Sequence, residues 1–194
     1  DYAASFARYK TGYTLPLDAV AAVRGSRTGE LIARCMVETG TSSYYAALAD
    51  ETAEPVLKEI CRRISADEFR HFKLFYDHMR RYLKRENIGV LRRLRIALGR
   101  ITESEDDELA YAWHAANEPP SLPYDHRRCI AAYMSRAADY YRFRHVERGI
   151  GMILKAVGLK PRGRVSDWLA RISWRLIQWR RRRLTAEAAA LALA

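Results

Sequence analysis

The chain has 194 residues, 49% of them hydrophobic, and 34 Lys and Arg against 23 Asp and Glu give it a net charge of +11. That is enough apolar content for one sizeable core at the size of a single domain. The three cysteines, Cys35, Cys61 and Cys129, are widely separated and form no Cys-x-x-Cys pair, which excludes a disulfide framework and a thiolate metal site and fits a reducing, cytoplasmic compartment.

No run of about 20 apolar residues is present to span a bilayer, and Asp1-Tyr2-Ala3-Ala4 lacks the basic-then-apolar order of a signal peptide. The basic balance calls for an acidic partner, either an anionic membrane surface reached from the cytoplasm or an acidic carrier protein. Nucleic acid is the weakest of the candidates, because no nucleic-acid-reading motif accompanies the charge.

Residues 1–27 read as an N-terminal arm with one short helix: Pro16 suits a first turn, Leu17 to Val23 can form about two turns, and Gly25 ends them. From Gly29 to Asp50 an inward stripe runs Leu31, Cys35, Glu38, Ser42, Tyr45 and Ala49 in steps of four and three, the period of a helix. Glu38 is an acid on the buried side of that helix. It is costly there unless a metal ion or an arginine answers it.

Pro55 opens the next helix, whose stripe reads Leu57, Cys61, Ile64, Glu68, His71 and Phe75. Glu68 and His71 are three apart and share a face, so a carboxylate oxygen and an imidazole nitrogen can reach one point. Glu38 stands roughly a dozen residues before the turn and Glu68 roughly a dozen after it. In an antiparallel hairpin rising about 1.5 Å per residue the two acids lie at one height.

A third long helix is expected along Leu91, Leu94, Leu98, Ile101, Glu105, Glu108, Ala112 and Ala115, with two acids on its inward face; a solvated acidic patch is the alternative. After the Pro-rich turn at 118–123, a fourth helix from Tyr124 would point Ala131, Met134, Ala138, Tyr141 and His145 inward. Phe143-Arg144-His145 echoes Phe69-Arg70-His71, with Arg142 where a second Glu-x-x-His would place its acid. Residues 161–194 form a basic Trp- and Arg-rich segment, with Trp168, Leu169, Ile172, Leu176 and Trp179 at helical spacing, followed by an Ala-rich tail. Such a helix suits an anionic membrane interface, or equally a place as a fifth helix with a basic outer face.

The inward polar groups are then Glu38, Glu68, His71, Glu105, Glu108 and His145. Four carboxylates and two imidazoles match a carboxylate-bridged pair of metal ions, and those ligand types suit iron or manganese.

In these residues the chain resembles the ferritin-like superfamily, and its rubrerythrin branch in particular, over roughly residues 28 to 157. The likeness rests on Glu38 followed by Tyr45, on Asp67-Glu68-Phe69-Arg70-His71, on the Glu105-x-x-Glu108 pair and on His145. It implies an all-α, ferritin-like antiparallel four-helix bundle over 28–160, two irons held by Glu38, Glu68, His71, Glu105 or Glu108, and His145, and an oxidoreductase using oxygen or peroxide on iron or an organic substrate. Tyr45 and Tyr141 would donate protons or electrons beside the irons, and a homodimer is compatible with the family. Without a rubredoxin-like Cys-x-x-Cys module, electrons would come from elsewhere. The competing expectation is a non-enzymatic ferritin-like scaffold, in which Arg142 neutralises the acids and the terminal helix binds a membrane or an acidic protein.

Overall fold

A computed structural model describes the backbone of residues 1–13, 24–103 and 107–192, and the side chains of all of these except 102 and 187–192. Among the described residues every regular element is an α-helix: α1 (Tyr2–Gly12), α2 (Arg27–Glu51), α3 (Pro55–Glu86), α4 (Val90–Thr102), α5 (Asp107–Asn117), α6 (His126–Tyr140), α7 (Phe143–Val157) and α8 (Arg164–Ala192). The protein is all-α. Two compact units divide it, one built from α2, α3, α4, α7 and α8 up to Leu176, the other from α1, α5, α6 and α8 from Ile177.

The larger unit is organised on the α2–α3 hairpin. The Ser26 hydroxyl accepts from the Gly29 N–H at 3.0 Å and starts α2. The Glu54 carboxylate accepts from the N–H groups of Val56 and Leu57, and Pro55, which has no N–H to lose, occupies the first helical position of α3. Asn87, at φ 47°, closes α3 in the left-handed conformation that asparagine tolerates.

Three contacts fix the register of the hairpin. The Cys35 thiol faces the Phe72 carbonyl at 4.0 Å, Glu38 meets Glu68, and the Ser65 hydroxyl donates to the Ser42 carbonyl at 2.8 Å. As the chain climbs α2 it descends α3, so the two acids do stand at one height. Ile32, Met36, Phe72, Met79, Ala97 and Met152, from four different helices, close one hydrophobic core. Gly158, at φ 84°, ends α7 where a Cβ would collide with the Arg93 guanidinium.

In the smaller unit α1 packs along α5. The Arg8 guanidinium donates to the carbonyls of His114 at 3.3 Å and Glu118 at 2.6 Å, placing a cation on the negative end of α5. Tyr9, Tyr13, Tyr111 and Tyr124 form an aromatic cluster beside it.

Two expectations need correction, and a third lies outside the described residues. The single helix expected across Leu91 to Ala115 is two helices in different units: α4 ends at Thr102, α5 begins at Asp107, and 104–106 lie outside the described residues. Leu91 and Leu98 are 83% and 62% exposed, because α4 turns Leu94 and Ala97 inward instead. The expected fourth helix likewise divides at Arg142, whose backbone is extended at φ −118° and ψ 161°. The short helix expected at Leu17 to Val23 falls outside the described residues, whereas Tyr2–Gly12 forms a helix that Asp1 caps.

Phe72, 2% exposed and stacked between Phe69 and Tyr76, carries the hairpin's packing. Phe72→Ala is expected to cost the larger unit about 3–5 kcal/mol in urea unfolding followed by far-ultraviolet circular dichroism. Leu91→Ala, at a solvated position, should change it by less than about 0.5 kcal/mol.

Candidate metal centre

Glu38 is buried to 8% exposure because it lies on the inward row of α2 between Cys35 and Ser42, both fully buried. Across the hairpin α3 supplies Glu68, with its side chain 22% exposed, and His71, whose ring is 55% exposed at the rim. The His71 Nδ1 lies 3.2 Å from Glu68 Oε2 and 3.7 Å from Glu38 Oε2. One ligand atom from each of the three residues can be chosen so that all lie within 4.8 Å of one another. Two donors about 2.1 Å from a common ion sit roughly 3–3.5 Å apart, so these three can close on one ion with small side-chain movements.

The electrostatics carry the same information. Burial, and then the neighbouring Glu68, push the Glu38 carboxyl up to about 7. Glu68 moves the other way, chiefly because it accepts the hydrogen bond that Glu38 donates, with His71 adding to the effect and burial opposing it. Both effects favour a proton shared by the two acids in the space between the two helices. A divalent cation is the other way to satisfy two facing carboxylates, and the mixed oxygen and nitrogen donor set suits iron or manganese.

Of the remaining expected ligands, His145 and Glu108 have other partners. His145 is buried, but its Nδ1 accepts from the Arg142 N–H at 3.0 Å and its Nε2 lies 2.7 Å from Asp50 Oδ2. Asp50 is twelve residues after Glu38 on α2, about 18 Å along the axis. Glu108 belongs to the smaller unit, where it accepts from the Tyr9 hydroxyl at 2.7 Å. Glu105 is outside the described residues. Arg142 does not enter the Glu38 cluster; its guanidinium donates to Glu51 at 2.5 Å at the exposed end of α2.

The two tyrosines are also separated. Tyr45, half-buried, has its phenol raised by burial and then by the charges of Cys61 and Glu68, which places it within electrostatic reach of the centre. Tyr141 packs edge-on against His145, with 6.1 Å between ring centres, and so belongs with the Asp50 pair.

A second group, His114, Glu118 and Cys129, also has donor atoms within 4.8 Å of one another. Its chemistry differs. The Glu118 carboxylate takes two hydrogen bonds from Arg128, both at 2.9 Å, and one from His114 Nδ1 at 2.6 Å, while the Arg8 guanidinium lies 2.7 Å from His114 Nε2. Burial and the Glu118 charge push the Cys129 thiol up to about 11, so it stays neutral. The Arg128 guanidinium already answers the acid, and Arg8 occupies the other face of His114. The cluster is a polar lock joining α1, α5 and α6, and the i, i+4 spacing of His114 and Glu118 was its signal in the sequence.

Comparison with protein families, with characterised proteins and with solved structures finds no match, so the chemistry of these side chains carries the assignment.

Arg128, followed by His114, lowers the Glu118 carboxyl from its ordinary 4.5 to about 2, against the opposing effect of burial. A depressed acid stabilises the folded state above its unfolded value, and the contribution is lost as pH falls through the folded one. The near-ultraviolet signal of the tyrosine cluster should therefore melt at progressively lower temperature as pH drops from about 4.5 toward 2. Glu118→Gln should remove about 2 kcal/mol at pH 7 and flatten that dependence.

Proposed function

We propose that this protein is a metal-dependent oxidoreductase of ferritin-like type, with a single ion held by Glu38, Glu68 and His71. The observation that supports the reading most is the meeting of a deeply buried carboxylate, a second carboxylate and an imidazole across one rigid helical hairpin. Iron or manganese there would supply redox chemistry toward oxygen or peroxide.

The chain's own groups have defined parts in this reading. Ion binding would displace the proton that the Glu38–Glu68 pair shares. His71, on the exposed rim, gives the ion and small oxidants their way in, while Phe72 and the buried Cys35 seal the floor. In this reading Tyr45, half-buried and near Glu68, would be the residue that passes a proton or an electron. Tyr141 has no such part.

The engagement of His145 with Asp50 and with the Arg142 N–H favours one ion over two. A second reading, a helical scaffold in which the facing acids only share a proton, draws on the same observation.

Metal loading separates the two. The purified chain, incubated anaerobically with iron(II) and desalted, should retain about one iron per chain by elemental analysis. Glu68→Ala should weaken retention by at least about 100-fold, while His145→Ala and Glu108→Ala should leave it unchanged. A chain that retains no iron or manganese, with its helix content intact, selects the scaffold.

A further inference from the structure

We propose that the exposed face of α8 docks this protein on an anionic bilayer surface, with the helix lying in the headgroup region parallel to the membrane plane.

Within the larger unit α8 has two faces of opposite character. Its inward side begins with small residues, Ser166 at 4% exposure and Ala170 fully buried, the Ser166 hydroxyl donating to the Pro161 carbonyl at 3.0 Å, and continues with the half-buried Trp174, which packs edge-on against Phe143 of α7. Rotated away from that side are Val165, Trp168, Ile172 and Leu176, at steps of three, four and four, and they are 68%, 60%, 40% and 58% exposed. Four large apolar side chains thus stand in water in one row, although Leu169 and Trp174 are half-buried on the protein side. An unbroken apolar row on the solvent face is not the pattern of an ordinary surface helix.

The charge beside this row decides what covers it. Arg164, Arg171 and Arg175 are seven and four residues apart, so they form a column along one flank of the apolar row, and all three are exposed. From Lys160 to Leu184 the sequence carries nine Lys and Arg and one acid, Asp167. A tryptophan in an apolar row belongs at the headgroup boundary, and flanking arginines can extend their stems along the apolar surface and lift their guanidinium groups to lipid phosphates. A convex row of this kind needs a matching groove on a protein partner, whereas a bilayer accepts it along its whole length. Among the described residues no helix is long and apolar enough to cross a membrane, so the contact is one of lying on the surface. None of this depends on the metal centre.

The test is sedimentation of the 194-residue chain with vesicles of phosphatidylcholine, alone or mixed with phosphatidylserine. Binding should require phosphatidylserine, weaken with salt and shift tryptophan emission to the blue. Removing each arginine should lower partitioning about fivefold, so Arg171→Gln with Arg175→Gln loses roughly 25-fold. Trp168→Ser with Leu176→Ser should abolish binding. All four positions are solvated, and unchanged melting of each variant confirms the fold. Four results would overturn the proposal: no sedimentation with phosphatidylserine vesicles, equal binding to phosphatidylcholine alone, undiminished binding by both double variants, or binding to soluble poly-glutamate as strong as to vesicles of equal charge.

Discussion

Two carboxylates facing each other across a helical hairpin are the constraint on which the chemistry of this chain depends. Burial and the facing carboxylate make ionising both Glu38 and Glu68 costly, and a cation between them would relieve that cost. Hydrophobic packing is what forces the encounter. Phe72 and Met79 lock α3 against Ile32 and Met36 of α2, and the Ser65–Ser42 hydrogen bond prevents the helices from slipping past one another. A shift of one residue would rotate Glu68 away from Glu38 and leave a buried acid with no partner. The hairpin thus holds the acids together against their own repulsion, which is how a packed scaffold prepares an ion-binding site.

The other half of the chain does not repeat this arrangement. Where α3 carries Glu68 and His71 in mid-helix, the echo at Phe143-Arg144-His145 falls on the first turn of α7. There His145 turns one nitrogen back to the Arg142 N–H and the other to Asp50, while Arg142 and Arg144 pair with Glu51 and Asp50. A residue pattern that could bind metal in mid-helix becomes a helix cap and an ion-pair cluster at a helix start. Arg142 accounts for this: a cation supplies no ligand, but it fits readily against the acidic end of α2.

The sequence made the larger hairpin legible because every signal agreed. The stripe through Cys35, Glu38 and Ser42, Pro55 at the turn, and the equal distances of Glu38 and Glu68 from that turn all describe one geometry. His71 was less legible, since periodicity assigns a face but not how much of that face is covered; it proves to lie at the rim. The regular alternation from Leu91 to Ala115 misled because a period of threes and fours continues through a break as readily as through a helix. Only tertiary packing shows that α4 buries Leu94 and Ala97 rather than Leu91 and Leu98. The His114–Glu118 spacing signalled part of the second lock, but Arg128 on Glu118 and Arg8 on His114 follow from the packing of α6 and α1, which periodicity does not show.

The most direct measurement is anomalous X-ray scattering from crystals of the chain grown with manganese(II) and collected at the manganese edge. One strong peak is predicted in the α2–α3 hairpin, within bonding distance of Glu38, Glu68 and His71. A map with no peak there, or with its strongest peak at His114, Glu118 and Cys129, would contradict the assignment of the hairpin as the metal centre.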